Sequence, residues 1–343
     1  VNHDLWDYDI ASPPLLHNLK INDKYYEVVI ALTKTGNVIL LERKTGEPIF
    51  DLRYKKAPPS DVPGEITSDY QLDLEKPEKF SKIDFSKNDY NELPINKIKE
   101  IDKLMLKSKS GWFEPPSFKK NLIIFGLHGG AQWPGAALDP INQELFIPTN
   151  NVPWSLSLSM QSMELSYKNF TKDKEILDLY YERCASCHGK TRNGVKIKSR
   201  EKLIKYVPSL VGLSGDMAKP LFGDRYIEKK FQNIHLNQFK NIDLKRMKKL
   251  FTEWDNYLYK NKLIRVDSNS NSWIQFLTSD SLPASNPPWG YIAKIDLATG
   301  KLKWKKTIGK KLIDDKWIET GSSIFGGVAL NKNGILFVTG TDD

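Results

Sequence analysis

Leu41-Glu42-Arg43-Lys44-Thr45-Gly46-Glu47-Pro48-Ile49-Phe50 and, far downstream, Ile295-Asp296-Leu297-Ala298-Thr299-Gly300-Lys301-Leu302-Lys303-Trp304 follow one pattern. The apolar end of a strand meets an acidic residue, then a Thr-Gly pair, then a second strand that closes on an aromatic. Glycine takes positive φ at no steric cost, so Thr-Gly makes a tight turn between antiparallel strands. The aromatic then falls where it packs into the next unit. A strand–turn–aromatic unit that recurs is the mark of a blade-like repeat.

The same texture extends outward from both copies. Glu27-Val28-Val29-Ile30-Ala31-Leu32, Val38-Ile39-Leu40-Leu41, Leu122-Ile123-Ile124-Phe125, Leu145-Phe146-Ile147-Pro148 and Tyr291-Ile292-Ala293-Lys294-Ile295 are short β-branched or aromatic runs. Turn residues bound each of them, which predicts strands. Many short strands with regular turns point to an all-β sandwich, barrel or propeller, and the repeat favours the propeller. This β texture fills residues 1–160 and 265–343. Between them, in 165–262, it gives way to helical spacing. Glu175-Ile176-Leu177-Asp178-Leu179-Tyr180-Tyr181 and the stretch Leu244 to Trp254, continued by Tyr257-Leu258, place apolar residues at three- and four-residue intervals. A small all-α domain inserted in a mainly β one is expected. Residues 55–118 read as a long polar connection, functional or semi-ordered, with a helix in its latter part from Ile95 to Lys109.

The chain has 343 residues and a net charge of +9, carried by lysines scattered along its length among acidic residues. Nucleic-acid binding needs basic residues gathered on one face, so that function is set aside in favour of a solvated lysine-rich surface. No apolar run is long enough to span a membrane. The chain opens on Val1 and runs at once into dense motif, and it closes at Asp343 just after the strand-like Ile335 to Thr339. It reads as a piece of a longer protein, so membrane association and any leader are left open.

Both cysteines fall in Cys184-Ala185-Ser186-Cys187-His188. Two thiols on one helical turn reach the two vinyl groups of a haem, and the adjacent imidazole meets the iron, so this run predicts covalent attachment of haem c at Cys184 and Cys187. A zinc site would need further ligands at similar spacing, and no other cysteine exists. His188 is the proximal ligand in this reading. For the distal ligand, the loop Val207-Pro208-Ser209-Leu210-Val211-Gly212 and the helix after Asp243 frame three candidates. His235 is favoured and Met217 is its alternative, whereas Met247 sits among the apolar positions of the helix and reads as core. Haem is attached covalently outside the bacterial cytoplasm, which predicts a periplasmic location.

The flanking segments carry further motifs: His3-Asp4-Leu5-Trp6-Asp7-Tyr8-Asp9, Thr33-Lys34-Thr35-Gly36-Asn37, Val62-Pro63-Gly64-Glu65, Phe113-Glu114-Pro115-Pro116-Ser117, Gly129-Gly130-Ala131-Gln132-Trp133-Pro134-Gly135, Asn150-Asn151-Val152-Pro153-Trp154, Pro287-Pro288-Trp289-Gly290-Tyr291 and Phe325-Gly326-Gly327. In order and spacing this set resembles the pyrroloquinoline-quinone-dependent dehydrogenases, nearest to the membrane glucose and quinate dehydrogenase branch. The resemblance covers nearly all of the chain outside the cytochrome-like segment. It implies an eight-bladed β-propeller, of which this chain holds the later blades.

The resemblance also implies a site. Asp7 corresponds to the family's catalytic base, Lys34 to the lysine that contacts the quinone carbonyls, and Asn150 or Asn151 to an asparagine that approaches the cofactor. Oxidising an alcohol requires removal of its hydroxyl proton as hydride leaves the carbon, which suits a carboxylate. A cation beside the quinone oxygens stabilises the charge that develops there. The Ca²⁺ that the family uses has its ligands mostly in blades outside this chain. His128 either lines the pocket or packs, and Trp133 is either pocket wall or core. The expected function is oxidation of an alcohol, sugar, polyol or cyclic hydroxy acid, with electrons passing through haem c to a cytochrome or quinone acceptor. The rival readings are a non-catalytic propeller that scaffolds a cytochrome, and a propeller oxidase for another substrate class.

Overall fold

The computed structural model describes residues 1–62, 65–117, 120–162, 170–198, 204–207, 209–212, 243–267 and 273–339. They fall into two units, one of Val1–Pro116, Asn121–Ser155 and Ile274–Asp343, the other of Ser117–Lys120 and Leu156–Trp273.

Strands β1 (Leu15–Ile21), β2 (Lys24–Leu32) and β3 (Val38–Glu42) form an antiparallel sheet in that order. Alternation dictates its buried face: Val28, Ile30 and Leu32 of β2 and Val38 and Leu40 of β3 are all at most 3% exposed. Beyond β3 lies the first copy of the repeat. Thr45 N–H donates to the Glu42 carboxylate at 2.7 Å, and Gly46 N–H to the Glu42 carbonyl at 2.8 Å. The second copy is built alike, with Thr299 N–H on the Asp296 carboxylate and Gly300 N–H on the Asp296 carbonyl, both at 2.9 Å. The acidic residue therefore fastens the turn, and Gly46 and Gly300 adopt φ of 76° and 68°. After the first turn Pro48 bridges back to Leu41, so a fourth, short edge joins the sheet.

The connection that follows is more ordered than its polar composition predicts. β4 (Tyr54–Lys56) pairs with β5 (Tyr70–Leu72), α1 (Ile95–Met105) forms within the expected stretch, and β6 (Ser108–Lys109) runs parallel to β7 (Asn121–Ile124). A dispersed apolar set explains the order. Phe85, Tyr90 and Ile101 from this connection close a core with Ile123, Phe125, Phe276 and Ala284. Further along, β8 (Ala137–Asp139), β9 (Glu144–Asn150) and β10 (Trp154–Leu156) lead to the second unit.

That unit contains β11 (Ser159–Ser162), α2 (Lys174–Arg183), α3 (Ala185–His188), β12 (Val195–Lys198), β13 (Ile204–Val207), α4 (Leu244–Lys260) and β14 (Ile264–Asp267). The expectation of an all-α segment needs correction. β12 pairs with β13 inside residues 165–262, while β11 and β14, which pair with each other, flank them on either side. The reason is legible in hindsight: Val195-Lys196-Ile197-Lys198 alternates apolar and charged residues with the two-residue period of a strand. The helices follow the expected spacing. Met247, Leu250, Phe251, Trp254 and Leu258 make the buried stripe of α4, and the Tyr180 ring of α2 meets Phe251 and Trp254 edge-on at 5.8 and 5.5 Å.

β15 (Trp273–Gln275) returns to pair with β10, giving the order β15-β10-β7-β6. β16 (Gly290–Asp296) then pairs with β9, and β17 (Lys301–Thr307) with β16, giving a four-stranded antiparallel sheet β17-β16-β9-β8. β18 (Lys311–Ile313) with β19 (Lys316–Ile318), and β20 (Val328–Leu330) with β21 (Leu336–Val338), form two further hairpins. The β9/β16 sheet is buried on both faces. Leu145, Ile147, Tyr291, Ala293 and Ile295 face the β1–β3 sheet, whereas Phe146 and Ile292 face Val328, Leu330, Leu336 and Val338. Sheets stacked face to face through alternating residues are held mainly by burial, at about 1.5–3 kcal/mol for each large aliphatic side chain. The fold is mainly β with few helices.

Candidate functional site

The segment from His3 to Asp9 is pinned by its alternate residues. The Asp4 carboxylate accepts from the backbone N–H of Trp6 at 2.9 Å and of Tyr8 at 2.7 Å, which curls the chain into a turn. Trp6 and Tyr8, 1% and 2% exposed, point inward. The Trp6 indole donates to the Glu114 carbonyl and the Tyr8 hydroxyl to the Phe125 carbonyl, both at 2.7 Å, and both rings pack on Phe113. Burial, with Asp4 and Asp84 adding to it, raises the Tyr8 pKa well above its ordinary value, which keeps the phenol neutral as a donor. With Trp6 and Tyr8 committed inward, Asp7 and Asp9 turn outward together. Asp7 takes a positive φ of 63°, a conformation that aspartate tolerates better than most residues.

Lys34 meets this pair from the turn after β2. Its ammonium donates to Asp7 Oδ2 at 3.0 Å and to Asp9 Oδ1 at 2.5 Å. The lysine side chain is 6% exposed, while the two carboxylates are more than half exposed. Burial acting alone would lower the Lys34 pKa. The hydrogen bonds and charges of Asp9 and Asp7 outweigh it and raise the pKa above the ordinary lysine value, so the group stays cationic. His128 lies within the electrostatic reach of the same cluster. Desolvation first, then the Lys34 charge, lower its pKa, and Asp7 offsets part of that.

Glycine holds the lysine in place from behind. Gly130 has φ of 58°, and a Cβ added there would stand 2.3 Å from the Lys34 carbonyl oxygen. Gly130→Ala is expected to destabilise the protein by at least ~1–2 kcal/mol through backbone conformation alone. The forced retreat of Lys34 adds to this, and a lowered urea midpoint checks it. The same glycine bridges to Asn150 of β9, so one close backbone approach links the Lys34 turn to the β9 end.

The two asparagines named for the cofactor both hold backbone in this chain. The Asn150 carboxamide accepts from Ile324 N–H at 2.6 Å and donates to the Ile324 carbonyl at 3.4 Å, and Asn151 donates to the Pro288 carbonyl at 3.0 Å. Both clamp backbone. Asp9 as second partner of Lys34 was not among the sequence expectations, although the alternation Trp6-Asp7-Tyr8-Asp9 carries the signal. Trp133, 64% exposed, belongs to no core among the described residues of this chain. His128 makes edge contacts with Trp154 at 4.4 Å and Phe325 at 5.8 Å.

Motifs far apart in sequence thus meet pairwise. His3 contacts Glu65 at 2.6 Å, Trp6 bonds to Glu114, Asn151 to Pro288, and Trp133 lies 6.3 Å from Phe325. An anionic quinone fits this arrangement on two observations. An ammonium has three donors, and the Lys34 carboxylate partners use two of them. In addition, the buried indole nitrogen of Trp154, beside His128, has no hydrogen-bond partner among the described residues. No cluster of three or more metal-ligating side chains forms among the described residues.

The Cys184-to-His188 run spans the junction of α2 and α3, with Cys184 at the C-cap of the first helix and the N-cap of the second. This is the helical turn expected of it. His188 is 8% exposed, and Gly194 N–H returns to its carbonyl at 2.8 Å. Arg192 follows, completely buried, paired with a completely buried Asp255 of α4. Its guanidinium donates to the Leu210 carbonyl at 3.2 Å and lies over the Trp254 ring at 4.5 Å and the Phe251 ring at 5.0 Å. Its Nε has no partner among the described residues, a buried donor that an acidic prosthetic group such as haem, with its propionates, would suit. His235, Met217 and the side chain of Cys187 lie outside the described residues. No helix among the described residues is long and apolar enough to cross a membrane.

Comparison with known proteins adds an independent line. A family model described as PQQ glucose/ethanol/alcohol dehydrogenase, β-propeller domain, matches residues 1–196 and 238–343. The quinoprotein glucose dehydrogenase of Escherichia coli (strain K12) is 23% identical over 357 residues, covering 100% of this chain and 34% of the relative. The large subunit of glycerol dehydrogenase from Gluconobacter oxydans (strain 621H) is 30% identical over 162 residues, 45% of this chain and 21% of the relative. Quinate/shikimate dehydrogenase (quinone) of Acinetobacter baylyi (strain ATCC 33305 / BD413 / ADP1) is 25% identical over 168 residues, 48% of this chain and 20% of the relative. The chain spans about a third of the length of the glucose dehydrogenase it matches throughout.

Proposed function

The chain belongs to the PQQ glucose/ethanol/alcohol dehydrogenase β-propeller family, and from that premise we propose that it is part of a quinohaemoprotein that oxidises an alcohol, sugar, polyol or cyclic hydroxy acid and carries the electrons onto a haem c. In this proposal the stacked sheets are later blades of an eight-bladed propeller and residues 165–262 are an inserted cytochrome domain. The whole protein works in the periplasm, and a cytochrome or quinone takes the electrons away.

The observation that carries the reading is the buried Lys34 ammonium shared by two outward-facing carboxylates. Asp7 receives the hydroxyl proton of the substrate on its exposed carboxylate. Lys34 holds Asp7 in position and keeps a third N–H for a quinone oxygen, where its fixed positive charge stabilises developing negative charge. Asp9 shares the ammonium, so Asp7 is not its only counter-ion. His128, its pKa lowered, is a neutral imidazole beside the cluster at neutral pH. When bound, pyrroloquinoline quinone supplies the hydride acceptor, Ca²⁺ polarises its carbonyl, and haem c supplies a one-electron acceptor. Cys184 and Cys187 would hold that haem and His188 would ligate its iron, with His235 as the proposed distal ligand and Met217 as the alternative.

The test uses the full-length protein matured in a host that attaches haem, supplied with Ca²⁺ and pyrroloquinoline quinone. Sugars, polyols, alcohols and quinate are added in turn while the haem absorption is followed. Reduction of the haem by a substrate only when quinone is present is the expected result. Reduction by dithionite alone would leave an electron carrier on a non-catalytic scaffold. Cys184→Ala together with Cys187→Ala is expected to remove covalent haem, seen as loss of haem stain on a denaturing gel. Quinone-dependent reduction of an artificial dye should persist in that variant.

A further inference from the structure

Asp4 precedes Asp7 by three residues, and the proton-transfer reading gives it no part. Yet both of its oxygens are spent on the chain around the proposed base. Oδ1 accepts from Trp6 N–H at 2.9 Å and Oδ2 from Tyr8 N–H at 2.7 Å. These two amides bracket Asp7, and the second belongs to the peptide plane that leaves it. A carboxylate is aimed only when both its ends are fixed. Lys34 fixes the far end of the Asp7 side chain, at Oδ2, with an ammonium that it also gives to Asp9. The near end is the Asp7 backbone. It stands at φ of 63°, a region that an unrestrained aspartate leaves for the extended or right-handed one. The Asp4 bonds resist that relaxation on either side of Asp7.

Asp4 is itself held by a fixed support. Asn2 N–H donates to the Gln71 carboxamide at 2.9 Å, and that carboxamide donates back to the Asn2 carbonyl at 2.6 Å. Gln71, in β5, is completely buried, and His3 meets Glu65 at 2.6 Å. Gln71 thus anchors the start of the segment, Asp4 sets its turn, and the turn presents Asp7 to Lys34. The inward rings have anchors of their own. Trp6 and Tyr8 bond to the Glu114 and Phe125 carbonyls and pack on Phe113 without help from Asp4. The aim of Asp7 and the burial of its neighbours are therefore separable.

Resting on the reading that Asp7 receives the substrate proton, we propose that Asp4 is the positioning residue of that base. It acts through the Asp7 backbone and touches neither substrate nor quinone. A proton acceptor must come within about 2.6–3.2 Å of the hydroxyl it serves. A swing of about 1 Å at the Asp7 carboxylate therefore lowers the rate by about 10²-fold. Substrate and quinone binding do not depend on that aim and stay as they are.

The experiment is a double-substitution cycle between Asp4 and Asp7 in the full-length protein, loaded with haem, quinone and Ca²⁺. Asp4→Ala lowers kcat by about 10²-fold and keeps KM within about twofold. Asp4→Asn keeps one acceptor oxygen for one of the two amides, and its loss is about tenfold. Added to Asp7→Asn, Asp4→Ala lowers the residual rate by less than about twofold, because no base is left for it to aim. Quinone affinity, titrated by absorbance, is equal in wild type and all variants. An unchanged kcat in Asp4→Ala, beside a lost activity in Asp7→Asn, overturns the inference and leaves the dehydrogenase reading intact. A loss as large in the Asp7→Asn background as in wild type overturns it too, and so does weakened quinone binding, since either marks a general structural part for Asp4. Activity kept in Asp7→Asn removes the base and the inference together. Haem and dye that no substrate reduces sink the dehydrogenase reading itself, and the inference with it.

Discussion

Asp7→Asn in the full-length protein, loaded with haem, quinone and Ca²⁺, is expected to lower kcat/KM by about 10²–10⁴-fold, the range that a positioned proton acceptor supplies. The substitution isolates the proton because little else changes. Asparagine tolerates positive φ as aspartate does, so the backbone at 63° has no new reason to move. The carboxamide oxygen still accepts from Lys34. Lys34 also keeps Asp9 at 2.5 Å, so no buried cation is stranded without a counter-charge. Asp7 is more than half exposed, and a surface change of this kind shifts stability by less than ~0.5 kcal/mol. Steady-state turnover, checked against unchanged quinone binding and an unchanged unfolding midpoint, decides the matter. A variant that keeps its activity within a few-fold would remove Asp7 from the chemistry and transfer attention to Asp9 or His128.

The second large effect is expected in the helical unit. Arg192→Met should destabilise it by about 3–5 kcal/mol, because it removes the guanidinium partner of a completely buried carboxylate. Both partners are completely buried, and the arginine also ties Leu210 to the aromatic face of α4, so one side chain joins three stretches of chain. The effect is local and is best read locally. Peptide-resolved hydrogen exchange over α2 and α4 should accelerate by roughly two to three and a half orders of magnitude, at ~1.4 kcal/mol per decade. Peptides from β9 and β16 should hold their rates. Replacing both members, Arg192→Met with Asp255→Leu, should restore much of the protection, since an apolar pair of similar volume often matches a buried ion pair. Unchanged exchange in α4 would mean that the pair contributes little to holding this unit together.

Much of the fold was legible because local chemistry and tertiary packing agree. The Thr-Gly repeat works through contacts within five residues: an acidic side chain on the threonine N–H and a glycine able to take positive φ. The alternating strands β2, β9 and β16 and the stripe of α4 show the same agreement. The β12–β13 hairpin escaped because its alternation is short and lies in lysine-rich surroundings where helical spacing prevails nearby. The order in the polar connection escaped because its anchors, Phe85, Tyr90 and Ile101, are far apart in sequence and meet only across the core.

The site divides in the same way. Asp7 and Lys34, named from the family resemblance, come together at 3.0 Å across 27 residues of chain. Asn150, named from the same resemblance, holds the Ile324 backbone, a partner 174 residues away that its sequence context does not announce. Arg192 and Asp255 are charged residues in a highly charged chain, and nothing in composition marks this pair as buried. Only the geometry singles them out.

The pairing of β9 with β16 has a consequence for how the chain is made. The two strands are neighbours in one sheet, yet residues 151–289 are synthesised between them. At ~5–20 residues per second, a ribosome needs on the order of ten seconds to produce that stretch. For that time β9 waits with one side unmatched, and such edges recruit strands from other molecules. β11 and β14, which pair within that stretch, draw its ends together and shorten the effective span that β9 and β16 must close. The pairing of β11 with β14 is then a device of assembly, and its loss would be felt first as aggregation of nascent chains.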